Sequence, residues 1–157
     1  LGKQFNRAGQ KVEVGPTPIP ALGSTDQHSQ LQLFMEGPQD KIVTFVEVED
    51  HGALCPFPED LPAGYEYLAG NDMAQLMRAE SQGTAWALAQ AGRPSVNLTI
   101  PEVNAQTLGA LFFFFEAQTA FAGEWYGINA FDQPGVEAGK KIAYGNVFGR
   151  CQLLFGI

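Results

Sequence analysis

Four polar side chains in this sequence lie in patterns that could move a proton or hold a polar group in place. One is His28, in the stretch GSTDQHSQ over residues 23–30. The others, Gln133, Glu137 and Lys140, lie within FDQPGVEAGK over residues 131–140. An imidazole titrates near neutrality, so it can take up or release a proton at physiological pH. Ser24 with Gln27 three residues on fits a capping box, and Thr25 is a second candidate cap. The predicted helix runs to about Glu36 and stops at Gly37-Pro38. His28 then falls in its first turn, where the positive end of the helix dipole favours the neutral ring. The same placement suits a capping-region histidine with no chemistry. In the second stretch Asp132 is a candidate N-cap and Pro134 suits the first turn. Gln133 and Lys140 are two helical turns apart and share a face, with Glu137 between them. An amide, a carboxylate and an ammonium then project together near a helix start. The spacing equally suits a solvated polar face on which Glu137 and Lys141 form an ordinary surface pair. His51, among acidic neighbours in EDHG, reads as surface.

Composition narrows the classes of function. The 157 residues fit one domain, and with 45% hydrophobic and 17% charged residues the chain can bury a core. The net charge of −8 and the absence of a basic stripe argue against nucleic acid and anionic membranes as partners. No apolar run approaches the roughly 18 residues of a membrane span. Cys55 and Cys151 lack metal-ligand spacing and read as reduced thiols, which suits a cytoplasmic protein. No phosphate loop, nucleophile elbow or metal-spaced His/Asp/Glu set is present. No signal peptide is visible.

These residues need elements to hold them. LGKQFNRAG reads as the last turns of a helix ending at Gly9. Pro16, Pro18 and Pro20 keep the next stretch extended and out of a central strand. KIVTFVEV (41–48) and SVNLTI (95–100) read as strands, the second ended by Pro101. A long helix is expected over about 69–90, closed by Gly92 and Pro94. Another opens near Asn104, with Leu108, Leu111, Phe112 and Phe115 as one buried stripe. Phe113 and Phe114 fall off that stripe, which implies cover on more than one side. A last helix is expected over roughly 134–148, followed by an apolar tail that should pack against something. Strands alternating with helices predict an α/β architecture with a parallel sheet. Two strands are few for such a sheet, so either strands are missed or other residues complete it.

LGSTDQHSQLQLFMEGPQDK and YGINAFDQPGVEAGK resemble two characteristic blocks in the C-terminal half of the bacterial glucose-6-phosphate isomerase (phosphoglucose isomerase) family. The likeness continues through PEVNAQTLGALFFFFEAQTAFAGEWYGINAFDQPGVEAGK and thins after about Lys141. It implies a three-layer α/β/α sugar-isomerase (SIS) domain that lacks its first strand–helix unit, so that residues 1–157 are a C-terminal SIS-domain portion. It implies an aldose–ketose isomerase of glycolysis and gluconeogenesis that interconverts glucose 6-phosphate and fructose 6-phosphate through a cis-enediol, with no metal and no organic cofactor. Residue by residue, His28 matches the histidine that helps open the sugar ring, Lys140 the lysine that assists it, and Gln133 a substrate contact. Glu137 also matches, in a supporting role beside Lys140. The family's proton-shuttling glutamate lies in a Glu-Ser-x-Gly-Lys-like stretch, and the chain opens on the LGK of that pattern. The matching glutamate is therefore expected two residues before Leu1. The resemblance further implies an N-terminal SIS domain in the same protein and a homodimer, with the histidine serving the neighbouring subunit. Two alternatives stay open: a non-catalytic SIS module that binds a sugar phosphate, and the isomerase part of a fusion with a transaldolase.

Overall fold

The computed structural model describes residues 1–147; Cys151 and the apolar tail lie outside the described residues. Two compact units are present, Pro18–Phe112 and a second made of Leu1–Thr17 with the residues after Phe112.

The first unit is built on a parallel pair of strands, β3 (Val43–Asp50) and β4 (Ser95–Glu102). Their register runs from Val43 opposite Ser95 to Asp50 opposite Glu102. The helix between them, α2 (Met73–Gln90), lies against both strands. Parallel neighbours need such a crossover. The expectation of an α/β class with a parallel sheet therefore holds. α2 starts four residues later than the composition suggested, because Asp72 and Gln75 form a reciprocal capping box: each side chain accepts from the other's backbone N–H, at 2.9 and 2.8 Å. It ends in a Schellman motif, with Gly92 N–H donating to Ala89 O, Arg93 N–H to Leu88 O, and Gly92 at φ +66°. Leu88, fully buried, and Ile100 form the core. Pro101 does not end β4. The strand pairs on one side only, with β3, and an edge strand tolerates a residue that has no N–H to give. The short α1 (Gln32–Glu36) stops at Gly37 as expected.

The second unit opens on an antiparallel hairpin, β1 (Lys3–Phe5) with β2 (Lys11–Val14). This corrects the expectation of a helix end at Gly9. The Asn6 side-chain carbonyl accepts from the amides of Ala8 and Gln10, and Gly9 takes φ +78°, so NRAG is a turn.

α3 (Ala105–Trp125) begins where expected, with Asn104 Oδ1 accepting from Thr107 N–H at 2.8 Å. The boundary between the units falls inside it. Its apolar stripe is not buried: Leu108, Phe112 and Phe115 are exposed, Phe113 is 71% exposed and Trp125 90%. α3 also ends in a Schellman motif, with Gly127 at φ +64° and Ile128 N–H donating to Gly123 O at 2.9 Å. Ile128 is fully buried. α4 (Pro134–Val147) follows, with Pro134 in its first turn as expected. Among the described residues no helix is long and apolar enough to cross a membrane.

Candidate active site

His28 is exposed and sits in a π-helical turn, Gln27–Leu31, that runs into α1. The expected capping box at Ser24 is absent. Asp26 occupies the cap position, but its carboxylate accepts instead from the amide of Leu22 at 2.6 Å. The helix-end argument for His28 therefore has little helix behind it. The turn is held by another device: Gln27 Nε2 donates to Thr84 Oγ1 on α2 at 2.9 Å, while Thr84 Oγ1 donates to Glu80 O at 2.9 Å. Ser29 Oγ adds a bond to Asp26 O at 3.0 Å. A cavity of about 390 Å³ lies between this turn, β3 and α2, and Gln27, Gln30 and Leu31 face it. His28 is not on its wall, so the inward face of the turn carries anchors and the outward face carries the imidazole.

Gln133, Glu137 and Lys140 stand at the start of α4 and are all exposed. Asp132 does not act as the expected cap. Gln133 opens the helix through its carbonyl, which accepts from Val136 N–H at 3.0 Å and Glu137 N–H at 3.1 Å. Lys140 Nζ donates to Glu137 Oε1 at 2.7 Å, so the surface partner of Glu137 is Lys140 rather than Lys141. An exposed pair of this kind contributes little to stability, and it places the ammonium beside the carboxylate in this structure.

Asp132 is instead gripped by Lys3, whose Nζ donates to Asp132 O at 2.7 Å and lies 3.3 Å from Asp132 Oδ1. Nearby, Arg7 forms a bidentate pair with Glu124, and Arg7 N–H donates to Gly127 O at 2.8 Å. The Arg7 guanidinium holds the Glu124 carboxyl below its ordinary range, and Glu124 raises the guanidinium in turn. Sequence reasoning missed both basic residues, because each partner lies more than a hundred positions along the chain.

The sequence model of the phosphoglucose isomerase family matches residues 2–147. The chain belongs to the phosphoglucose isomerase family. It is 50% identical over 146 residues to a glucose-6-phosphate isomerase of Carboxydothermus hydrogenoformans, covering 92% of this chain and 32% of that relative. It is 50% identical over 133 residues to a glucose-6-phosphate isomerase of Rubrobacter xylanophilus, covering 83% of this chain and 31% of the relative. The crystal structure of a hypothetical protein from Thermus thermophilus superposes with a TM-score of 0.81 at 44% identity, covering 94% of this chain and 35% of that one. The chain thus spans about a third of the length of the phosphoglucose isomerase relatives it matches. His28, Gln133, Glu137 and Lys140 all fall inside the matched span.

Proposed function

We propose that this chain is the C-terminal SIS-domain part of an isomerase that interconverts glucose 6-phosphate and fructose 6-phosphate. The observation that carries the reading is half-identity, across nearly the whole chain, to relatives named glucose-6-phosphate isomerase. In this reading His28 moves a proton at the ring oxygen or C1 hydroxyl of the cyclic sugar, which opens the ring. An outward-facing imidazole on an anchored turn suits that work. Lys140 stands near the ring and assists the same step. Its ion pair with Glu137 sets the ammonium beside that carboxylate, which supports the orienting role given to Glu137. Gln133 offers the substrate an amide from the helix start. The C1/C2 proton transfer falls to the glutamate expected upstream.

The reading extends to partners. The exposed aromatic residues of α3, Phe112 to Phe115 with Phe121 and Trp125, lie on more than one side of the helix and support cover in the full-length protein. We assign that cover to an N-terminal SIS domain and to the second subunit of a homodimer, in a cytoplasmic enzyme of glycolysis and gluconeogenesis.

The test is a coupled assay of fructose 6-phosphate conversion by the full-length gene product. His28→Ala should lower kcat by about 10²-fold or more, and Lys140→Ala by about tenfold or more, the usual range for a lost proton-transfer group. A double variant that keeps wild-type kcat overturns the assigned roles.

A further inference from the structure

Glu137 and Lys140 ride on α4, and Gln133 stands just before it. Every residue of α4 from Pro134 to Tyr144 is exposed. A helix so placed cannot rely on its own packing to fix its start. Just before it, the Lys3 ammonium meets two oxygens of one residue, the carbonyl and the carboxylate of Asp132. The Lys3 side chain is only 12% exposed, whereas Asp132 is 55% exposed. A nearly buried ammonium has to be satisfied by the protein, and both acceptors come from the residue next to Gln133.

We propose that Lys3 is a positioning residue for the active site. By gripping both oxygens of Asp132, it sets where Gln133 and the first turn of α4 stand. The inference rests on the reading that Gln133 touches substrate. Lys3 itself does not touch it; the ammonium is occupied with Asp132. The hairpin then has a task, since β1 presents Lys3 and the Asn6 turn returns the chain to β2. Arg7, in the same hairpin, ties Glu124 and Gly127 at the end of α3, so the segment between α3 and α4 is held at both ends.

The test uses the full-length gene product with two readouts. Lys3→Met should lower kcat/KM by about ten- to a hundredfold, the cost of misplacing a contact by an ångström or so. Lys3→Arg keeps the charge and a donor for Asp132 but brings a larger planar group into a site that is 12% exposed, so it should recover only part of the loss, to within about tenfold of wild type. Combined with Gln133→Ala, Lys3→Met should cost clearly less than the product of the two single losses, because part of its effect runs through Gln133 and the rest through α4. Amide hydrogen exchange at Val136 and Glu137 should quicken by about tenfold or more in Lys3→Met.

Losses that multiply in the double variant, or exchange that stays at the wild-type rate, overturn the proposal. If Gln133→Ala alone leaves activity intact, the substrate-contact reading of Gln133 fails, and the exchange rates still decide whether Lys3 holds α4. Should Lys3→Met not fold, Asp132→Ala removes the half-exposed carboxylate, keeps the carbonyl, and should shift exchange in the same direction.

Discussion

The two units end their long helices with the same motif and use it differently. In the unit Pro18–Phe112, α2 closes at Gly92 and the buried residue, Leu88, lies inside the helix. In the other, α3 closes at Gly127, and the buried apolar side chain, Ile128, lies just after the helix, while the buried position inside it is a glycine, Gly123. The residue inside α3 at the place of Leu88 is Gly123, where a Cβ would stand 2.7 Å from Ala130 Cβ. One motif buries the helix against its sheet. The other tucks the outgoing chain against the helix and aims it at Asp132. The candidate residues follow the same division. His28 is anchored by a neutral side-chain bond to a packed helix, whereas Gln133, Glu137 and Lys140 depend on charged contacts at a helix start.

Breaking either buried anchor should give the largest effects. Leu88→Ala is expected to cost about 2–5 kcal/mol, measured by urea unfolding of the full-length gene product, and Ile128→Ala a value nearer the low end, since a connecting segment collapses onto a cavity more readily than a helix does. Equal, negligible losses would mean that neither motif organises its unit. Next in size is Thr84→Val, which deletes the acceptor for Gln27 while keeping shape. It should cost about 1 kcal/mol of stability and lower isomerase activity severalfold, through His28 alone. Full activity in that variant would show that the turn places His28 without its tether.

The smallest effect is expected at Glu124. Its carboxyl is held below the ordinary range by Arg7, so the pair's contribution is present above the unfolded carboxylate value and is lost as pH falls through the lowered folded value. Because both groups are fully exposed, solvent screens the pair and the contribution stays small. The melting difference between wild type and Glu124→Gln should be slight at pH 7 and vanish in acid. A difference that grows in acid would contradict the assigned direction.

How much was legible follows from how local each signal was. β3, α2, β4 and the starts of α3 and α4 could be read because β-branched runs, Asn104 and Pro134 act within a few residues. Helical spacing named Lys141 as the surface partner of Glu137, whereas the pair forms with Lys140, because i+3 and i+4 are both within reach. The hairpin was missed because LGKQF has no alternation long enough to mark a strand, and the Asn6 turn shows itself only through bonds to Ala8 and Gln10. Ser24 looked like a cap, but Asp26 holds the Leu22 amide and sets the turn instead. The stripe on α3 was correctly seen as apolar; periodicity cannot tell which surface covers it. Lys3 was visible only as the end of the LGK match; its grip on Asp132 was illegible, since no local rule connects positions at opposite ends of the chain.

The glycine at the end of α3 has a mechanical consequence. Beyond the held segment that it starts, from Asp132 onward, α4 acts as an arm with Lys140 midway along it. Lys140 stands about 10 Å along the axis of α4 from Gln133, so an angular error of about 10° at the base displaces its backbone by about 2 Å. Leverage of that size turns a small change of torsion beside Asp132 into a displacement larger than a hydrogen bond tolerates.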